Sequence, residues 1–214
     1  MITEILRRNA RMYGDKTALI EREPAKNLRR EISWTDFDSD ADKTANALIR
    51  QGVRKGDKVI QLMMNCIEWL PIYFGILRTG AWAVPLNFRF SADDIRHCNE
   101  VAEAKVLIFG EEFIERIRKI KVFLDQTVSS YIFVGHKALC PEFAEYYNDM
   151  LASASENKPD TEICLCDPAA LYFTSGTTGK PKAVLLTHRN LEFACYVENQ
   201  HHRQTHEDNF LCIP

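Results

Sequence analysis

Short apolar runs alternate with longer stretches of helical periodicity along most of this 214-residue chain. Residues 59–64 form a run broken only by Gln61, the pattern of a strand covered on both faces. Residues 82–85, 105–109 and 130–134 read as further strands. Helical signals fall between them. Residues 67–78 carry Pro71 near the first turn and Gly80 past the end. Ser91-x-x-Asp94 is a capping-box pattern that opens a helix through about Ala102, and residues 111–120 predict another. Ahead of these, residues 17–20 and 31–34 read as a β-hairpin with a charged 21–30 loop containing Pro24. Thr35 is predicted to cap a helix whose apolar face is Phe37, Ala41, Ala45, Leu48 and Ile49, ending at Gly52. Residues 1–8 read as an amphipathic helix. Strands alternating with helices imply βαβ units: an α/β fold with a mostly parallel sheet flanked by helices and a small N-terminal β-hairpin.

One segment breaks this rhythm. Thr174-Ser175-Gly176-Thr177-Thr178-Gly179-Lys180-Pro181-Lys182 packs four hydroxyls, two glycines and two lysines between the apolar runs 169–173 and 183–186. Both flanks are strand-like, so the polar piece reads as a loop joining two strands. Glycines permit positive φ and close backbone approach, which gathers N–H groups into a concavity suited to anions. Threonine and serine hydroxyls add donors, and the lysines add charge. Such donors favour phosphate oxygens, each charge-assisted hydrogen bond contributing roughly 1.5–3 kcal/mol. Two other phosphate motifs are excluded by spacing. A Walker loop needs four residues before its Gly-Lys pair and a Ser or Thr after it, whereas here two residues intervene and Pro181 follows. The dinucleotide pattern G-x-G-x-x-G is absent. A solvated hairpin turn is the bland alternative, but a turn needs far fewer such residues.

The stretch 174–182, with Thr187-His188-Arg189-Asn190 after it, resembles the phosphate-binding signature of the adenylate-forming (AMP-binding) enzymes. That superfamily includes acyl-CoA synthetases, luciferases and the adenylation domains of peptide synthetases. Glu31-Ile32-Ser33-Trp34-Thr35-Asp36-Phe37, Gly52-Val53-Arg54-Lys55-Gly56-Asp57-Lys58-Val59 and residues 77–87 resemble its earlier segments. Ala183 departs from the pattern, which usually has glycine there; a methyl matters only if that backbone takes positive φ or touches nucleotide. The resemblance implies ATP-dependent conversion of a carboxylic acid to an acyl-adenylate, then thioester formation with CoA, with Mg2+ accompanying ATP. Pro85-Leu86-Asn87 is closer to acyl-CoA synthetases, with fatty or aromatic acids as substrates, than to peptide-synthetase domains. It further implies that Thr174, Ser175, Gly176, Thr177, Thr178, Gly179, Lys180 and Lys182 bind the nucleotide, Lys182 orienting the loop. The family's later signatures, including its catalytic lysine, have no counterpart before Pro214. The chain is therefore expected to be an N-terminal portion, inactive alone, with no catalytic residue of its own, and to self-associate. The other readings are an adenylation domain of a peptide synthetase or luciferase-like enzyme, and a non-catalytic nucleotide- or partner-binding fragment.

Composition narrows the class. Apolar residues make up 46% and charged residues 27%, enough for a buried core. A net charge of −3 provides no general attraction to nucleic acid or anionic lipid. No apolar run reaches the ~18 residues of a membrane span, and residues 1–8 are too short and interrupted for a secretory signal. A cytoplasmic location is expected. The seven cysteines are scattered, and Cys164 and Cys166 lack C-x-x-C spacing, which fits reduced thiols and no metal site. His202 and His206 stand at i, i+4 on an expected helix, with His201 beside them, and read as an exposed helix end. The expected organisation is an N-terminal α/β subdomain over 1–150, a surface linker over 151–167, and the start of a second α/β subdomain over 168–214.

Overall fold

The computed structural model describes residues 1–174 and 179–212. In chain order it contains helix α1 (Ile2–Tyr13), strands β1 (Thr17–Glu23) and β2 (Leu28–Ser33), α2 (Trp34–Arg50), β3 (Lys58–Leu62), α3 (Trp69–Arg78), β4 (Trp82–Pro85), α4 (Ala92–Ala102), β5 (Val106–Gly110), α5 (Ile114–Leu124) and β6 (Ser130–Val134). Then come β7 (Glu145–Tyr146), α6 (Tyr147–Ala152), β8 (Pro168–Thr174), β9 (Lys182–Thr187) and α7 (His188–His202). Strands β1 and β2 pair antiparallel by themselves. The remaining seven form one sheet in the order β7-β6-β5-β3-β4-β8-β9, parallel except for β9.

Alternation along the central strands builds two cores. Val59, Val106, Ile108, Ile132 and Val134 face α2, α3 and α6. Ile60, Leu62, Leu107, Phe109, Tyr131 and Phe133 face α4 and α5. Helices on both faces explain the near-continuous apolar runs. A large side chain removed fully from water contributes ~1.5–3 kcal/mol, and Phe109 and Phe133 are both fully buried. Helices α2 and α3 approach closely at Gly75, where a Cβ would meet the Thr44 Cβ at 2.5 Å. Beneath them lies a charged cluster. Arg7 of α1 donates two hydrogen bonds of 2.7 Å to Asp42, and Arg78 pairs with Asp38 and with Asp42 at 2.9 Å. Arg78 and Asp42 are buried, which is tolerable only because each charge has an opposite partner.

Several local expectations need correction. Ser33, not Thr35, caps α2: its hydroxyl accepts from the Asp36 amide while Asp36 returns to Ser33, so Trp34 begins the helix rather than ending a strand. Ile49 is exposed, because Asp42 and Thr44 share the buried face of α2 with Phe37, Ala41, Ala45 and Leu48. The hairpin strands extend through Glu23 and from Leu28, leaving a tight turn at Pro24–Lys26. Cross-strand pairing of their charged residues, Glu21 with Arg30 among them, sustains that extension. Glu111–Phe113 forms a 3-10 turn before α5, which continues to Leu124. Strand β7 and helix α6 leave no signal in the sequence, since two and six residues are too few to show periodicity. Leu151 and Ala152 thus belong to α6. The irregular stretch after them is largely exposed, yet held to its neighbours: Asn46 donates to the carbonyls of Ser155 and Asn157 at 2.8 and 2.7 Å, and Arg50 to that of Ser153 at 2.9 Å.

Candidate phosphate-binding site

Strand β8 runs parallel to β4, so Thr174 lies at the carboxyl end of the parallel sheet, the edge at which open α/β sheets hold ligands. Two contacts fix this end of the strand. The Tyr172 hydroxyl meets that of Tyr73 on α3 at 2.9 Å, and Phe173 packs on the α4–α5 core. Burial raises the pKa of both phenols, so the tyrosines remain a neutral hydrogen-bonded pair. Strand β9 then returns antiparallel, pairing Ala183 with Phe173 and Lys182 with Thr174. The polar segment is therefore the connection between two paired strands, as its flanks predicted.

Thr174, Gly179, Lys180 and Lys182 are brought together around this connection. The Thr174 hydroxyl donates to the Lys182 carbonyl at 3.4 Å, across the base of the turn. Gly179 has φ of +89°, a conformation that residues with a Cβ rarely adopt. Lys180 and Lys182 are exposed, and among the described residues neither takes part in an ion pair. Two uncompensated cations on one short turn create a positive field suited to a polyanion. Ser175, Gly176, Thr177 and Thr178 lie outside the described residues. Ala183 does not take positive φ, so its departure from glycine is accommodated in the backbone. Pro181 is buried, and the His97 Nε2 of α4 lies 3.2 Å from its carbonyl oxygen. No local sequence signal points to His97, which is 84 positions away.

Helix α7 leaves the site under its own cap. The Thr187 hydroxyl accepts from the Asn190 amide at 3.2 Å, and Asn190 Oδ1 accepts from the Thr187 amide at 2.9 Å. His188 is fully buried with both ring nitrogens unpartnered, and burial lowers its pKa, so it packs as a neutral ring. Arg203, at φ of 52°, ends α7 after His202, so His206 is off the helix and stacks on Tyr13 instead. The expected i, i+4 pair on one helix does not form. A cleft of about 490 Å³ lies elsewhere, lined by Arg7, Lys55, Arg78 and Lys158 among others. Its cations already face acids: Lys55 pairs with Asp167 at 2.6 Å and Lys158 with Glu4 at 3.5 Å. Among the described residues the lysines of the β8–β9 turn have no such partners, so the turn is the better candidate.

No helix among the described residues is long and apolar enough to cross a membrane. The AMP-binding enzyme family profile matches residues 6–214. Crotonobetaine/carnitine–CoA ligase of Citrobacter koseri is 29% identical over 210 residues, covering 95% of this chain and 40% of the relative. The enzyme of that name from Salmonella typhi is 31% identical over 188 residues, covering 87% and 36%. Among solved structures, the anthranilate CoA ligase AuaEII in complex with anthranoyl-AMP superposes with a TM-score of 0.82 at 28% identity, over 91% of this chain and 36% of that one. The inhibitor-bound N-terminal domain of FACL13 from Mycobacterium tuberculosis does so with 0.75 at 30% identity, over 87% and 44%. The chain spans about two fifths or less of the curated relatives it matches. On the match over residues 6–214, the chain belongs to the AMP-binding enzyme family.

Proposed function

We propose that this chain supplies the polyphosphate-holding part of an ATP-dependent acid–CoA ligase. In the proposed reaction a carboxylate oxygen attacks the α-phosphorus of ATP, the bond to the leaving pyrophosphate breaks, and an acyl-adenylate forms. The CoA thiol then attacks the acyl carbon and releases AMP. Within this chain the hydroxyl of Thr174, the exposed ammonium groups of Lys180 and Lys182, and the backbone around Gly179 would hold the β and γ phosphates; Ser175, Gly176, Thr177 and Thr178 belong to the same segment. Charge placed there steadies the leaving pyrophosphate and keeps the attack in line. Mg2+ would travel with ATP. The described residues contain no group of three or more His, Cys, Asp or Glu suited to a metal, so none is assigned to it.

The observation that carries this reading is the pair of lysines, without an ion-pair partner among the described residues, on a glycine-bearing turn at the carboxyl edge of the sheet. The CoA-ligase names of the relatives favour CoA over other acceptors. Residues 168–214 would start a second unit beyond a 151–167 connector, joined to the preceding strands through the β4–β8 pairing of Ala83 with Ala170. Exposure of Val184 and Leu185 on the edge strand β9 supports pairing of two copies there, which light scattering tests directly.

Calorimetric titration of ATP tests the nucleotide reading. Saturable binding is expected, weakened at least tenfold by Lys182→Ala if an ion-assisted contact to phosphate is lost. Pyrophosphate release by this polypeptide is expected to be nil across a panel of fatty and aromatic acids. ATP binding unchanged by Lys182→Ala overturns the role of that lysine, and measurable pyrophosphate release overturns the inactivity of the chain alone.

A further inference from the structure

We propose that His97 is a positioning residue for the phosphate-binding turn, acting through the Pro181 carbonyl without touching the ligand. The inference rests on the nucleotide reading above and names a residue that the turn's own sequence does not contain.

The argument begins with proline chemistry. Pro181 has no N–H, so it donates nothing to the β8–β9 ladder that begins beyond it. It is nevertheless buried, and a buried carbonyl without a partner is unfavourable. The ring of His97 supplies that partner, with Nε2 at 3.2 Å from the oxygen. Nε2 therefore carries the proton and donates, since a carbonyl oxygen only accepts. His97 is itself well placed to hold a fixed position. Helix α4 is anchored at Ser91 and Asp94 by a full capping box. Ile95, Cys98 and Ala102 secure the helix to the α4–α5 core, leaving the half-buried His97 at its flank.

The consequence falls on Lys182. The carbonyl of Pro181 and the amide of Lys182 belong to one rigid peptide plane. Fixing the oxygen fixes that plane, and with it the direction in which the Lys182 backbone enters β9. On the other strand the Thr174 hydroxyl holds the next carbonyl, that of Lys182, at 3.4 Å. Among the described residues, His97 makes the one side-chain hydrogen bond that reaches the turn's backbone from outside the β8–β9 pair. A Pro181–Lys182 peptide held from a rigid helix gives up less freedom when Lys182 engages phosphate, so the anchor favours binding through preorganisation.

The test compares His97→Phe, which keeps a ring but removes the donor, with His97→Gln, whose amide nitrogen reaches about as far as Nε2. Native-state hydrogen exchange of the 214-residue chain without nucleotide reads the turn directly. In His97→Phe the amides of residues 182–184 are expected to exchange several-fold faster, while those of β5 and α4 keep their rates; His97→Gln restores the slow rates. ATP affinity is expected to fall about three- to tenfold in His97→Phe, the loss of one net hydrogen bond, and to recover in His97→Gln. Unchanged exchange at 182–184, or failure of Gln to restore it, overturns the anchor. Faster exchange with unaltered ATP affinity overturns its contribution to binding. If the parent chain binds no ATP, the nucleotide reading fails, and with it the functional half of this proposal, whereas the exchange result still decides the anchor.

Discussion

Strands β5 and β9 are both short apolar strands of one sheet, yet all five residues of β5 are buried while the first four of β9 are exposed. The difference is made by neighbours. β5 lies between β3 and β6 with helices on both faces, whereas β9 is the last strand, paired only with β8 among the described residues. Apolarity in β5 is therefore cohesion, whereas in β9 the apolar Val184 and Leu185 stay open to solvent. The chemistry follows the same division. The interior half holds its charges in closed pairs, as Arg7, Arg78, Asp38 and Asp42 do, while Lys180 and Lys182 at the edge have no ion-pair partner among the described residues. Stability is thus carried by the interior of the sheet, and the proposed phosphate contact by its β9 edge.

The largest expected effect breaks the interior. Asp42→Ala leaves two arginines facing a lost partner, and removing one member of a buried pair costs ~3–5 kcal/mol. Urea denaturation should show most of the chain's stability gone; a change below 1 kcal/mol would mean the cluster is not structural. A matched pair of substitutions sharpens the contrast next. Val106→Thr puts an unpartnered hydroxyl into a fully buried position, at ~1–3 kcal/mol. The same change at Val184, which is 41% exposed, should fall within about 0.5 kcal/mol of the parent chain. Equal effects at the two positions would abolish the distinction between the strands.

A subtler effect comes from His188, at the junction of the two regions. Its folded pKa lies below the ordinary 6.5 because burial disfavours the cation. Above 6.5 both folded and unfolded states are neutral there, and the contribution is complete. As pH falls from 6.5 toward the folded value the unfolded state takes up the proton first, so stability declines. His188→Leu should remove that part of the pH dependence without loss of stability at pH 8, since both ring nitrogens are unpartnered already. An identical pH profile in the variant would contradict a buried neutral ring.

Much of this division was legible along the chain, for identifiable reasons. Strands β4 and β6 fall where the apolar runs put them, because packing on both faces demands such runs. The box at Ser91 and Asp94 is local chemistry, readable within four residues. The turn between β8 and β9 was visible because its composition is so far from that of its flanks. The features without a local signal are long-range or very short. Thr35 and Ser33 both offer a hydroxyl, and only the reciprocal bond from Asp36 decides between them. The buried ionic cluster joins α1, α2 and α3, and composition alone assigns such charges to the surface. The bond from His97 to Pro181 links elements with no sequence relation, so only the assembled sheet reveals it.

The most direct test of the account is an amide-resolved NMR titration of the chain with ATP, followed by inorganic pyrophosphate as competitor. The account predicts that shifts concentrate at residues 174–183 and are reversed by pyrophosphate, while the amides of β5 and β6 stay unmoved. Shifts centred on the 490 Å³ cleft beside Arg7 and Lys55, or none at the β8–β9 turn, would contradict it.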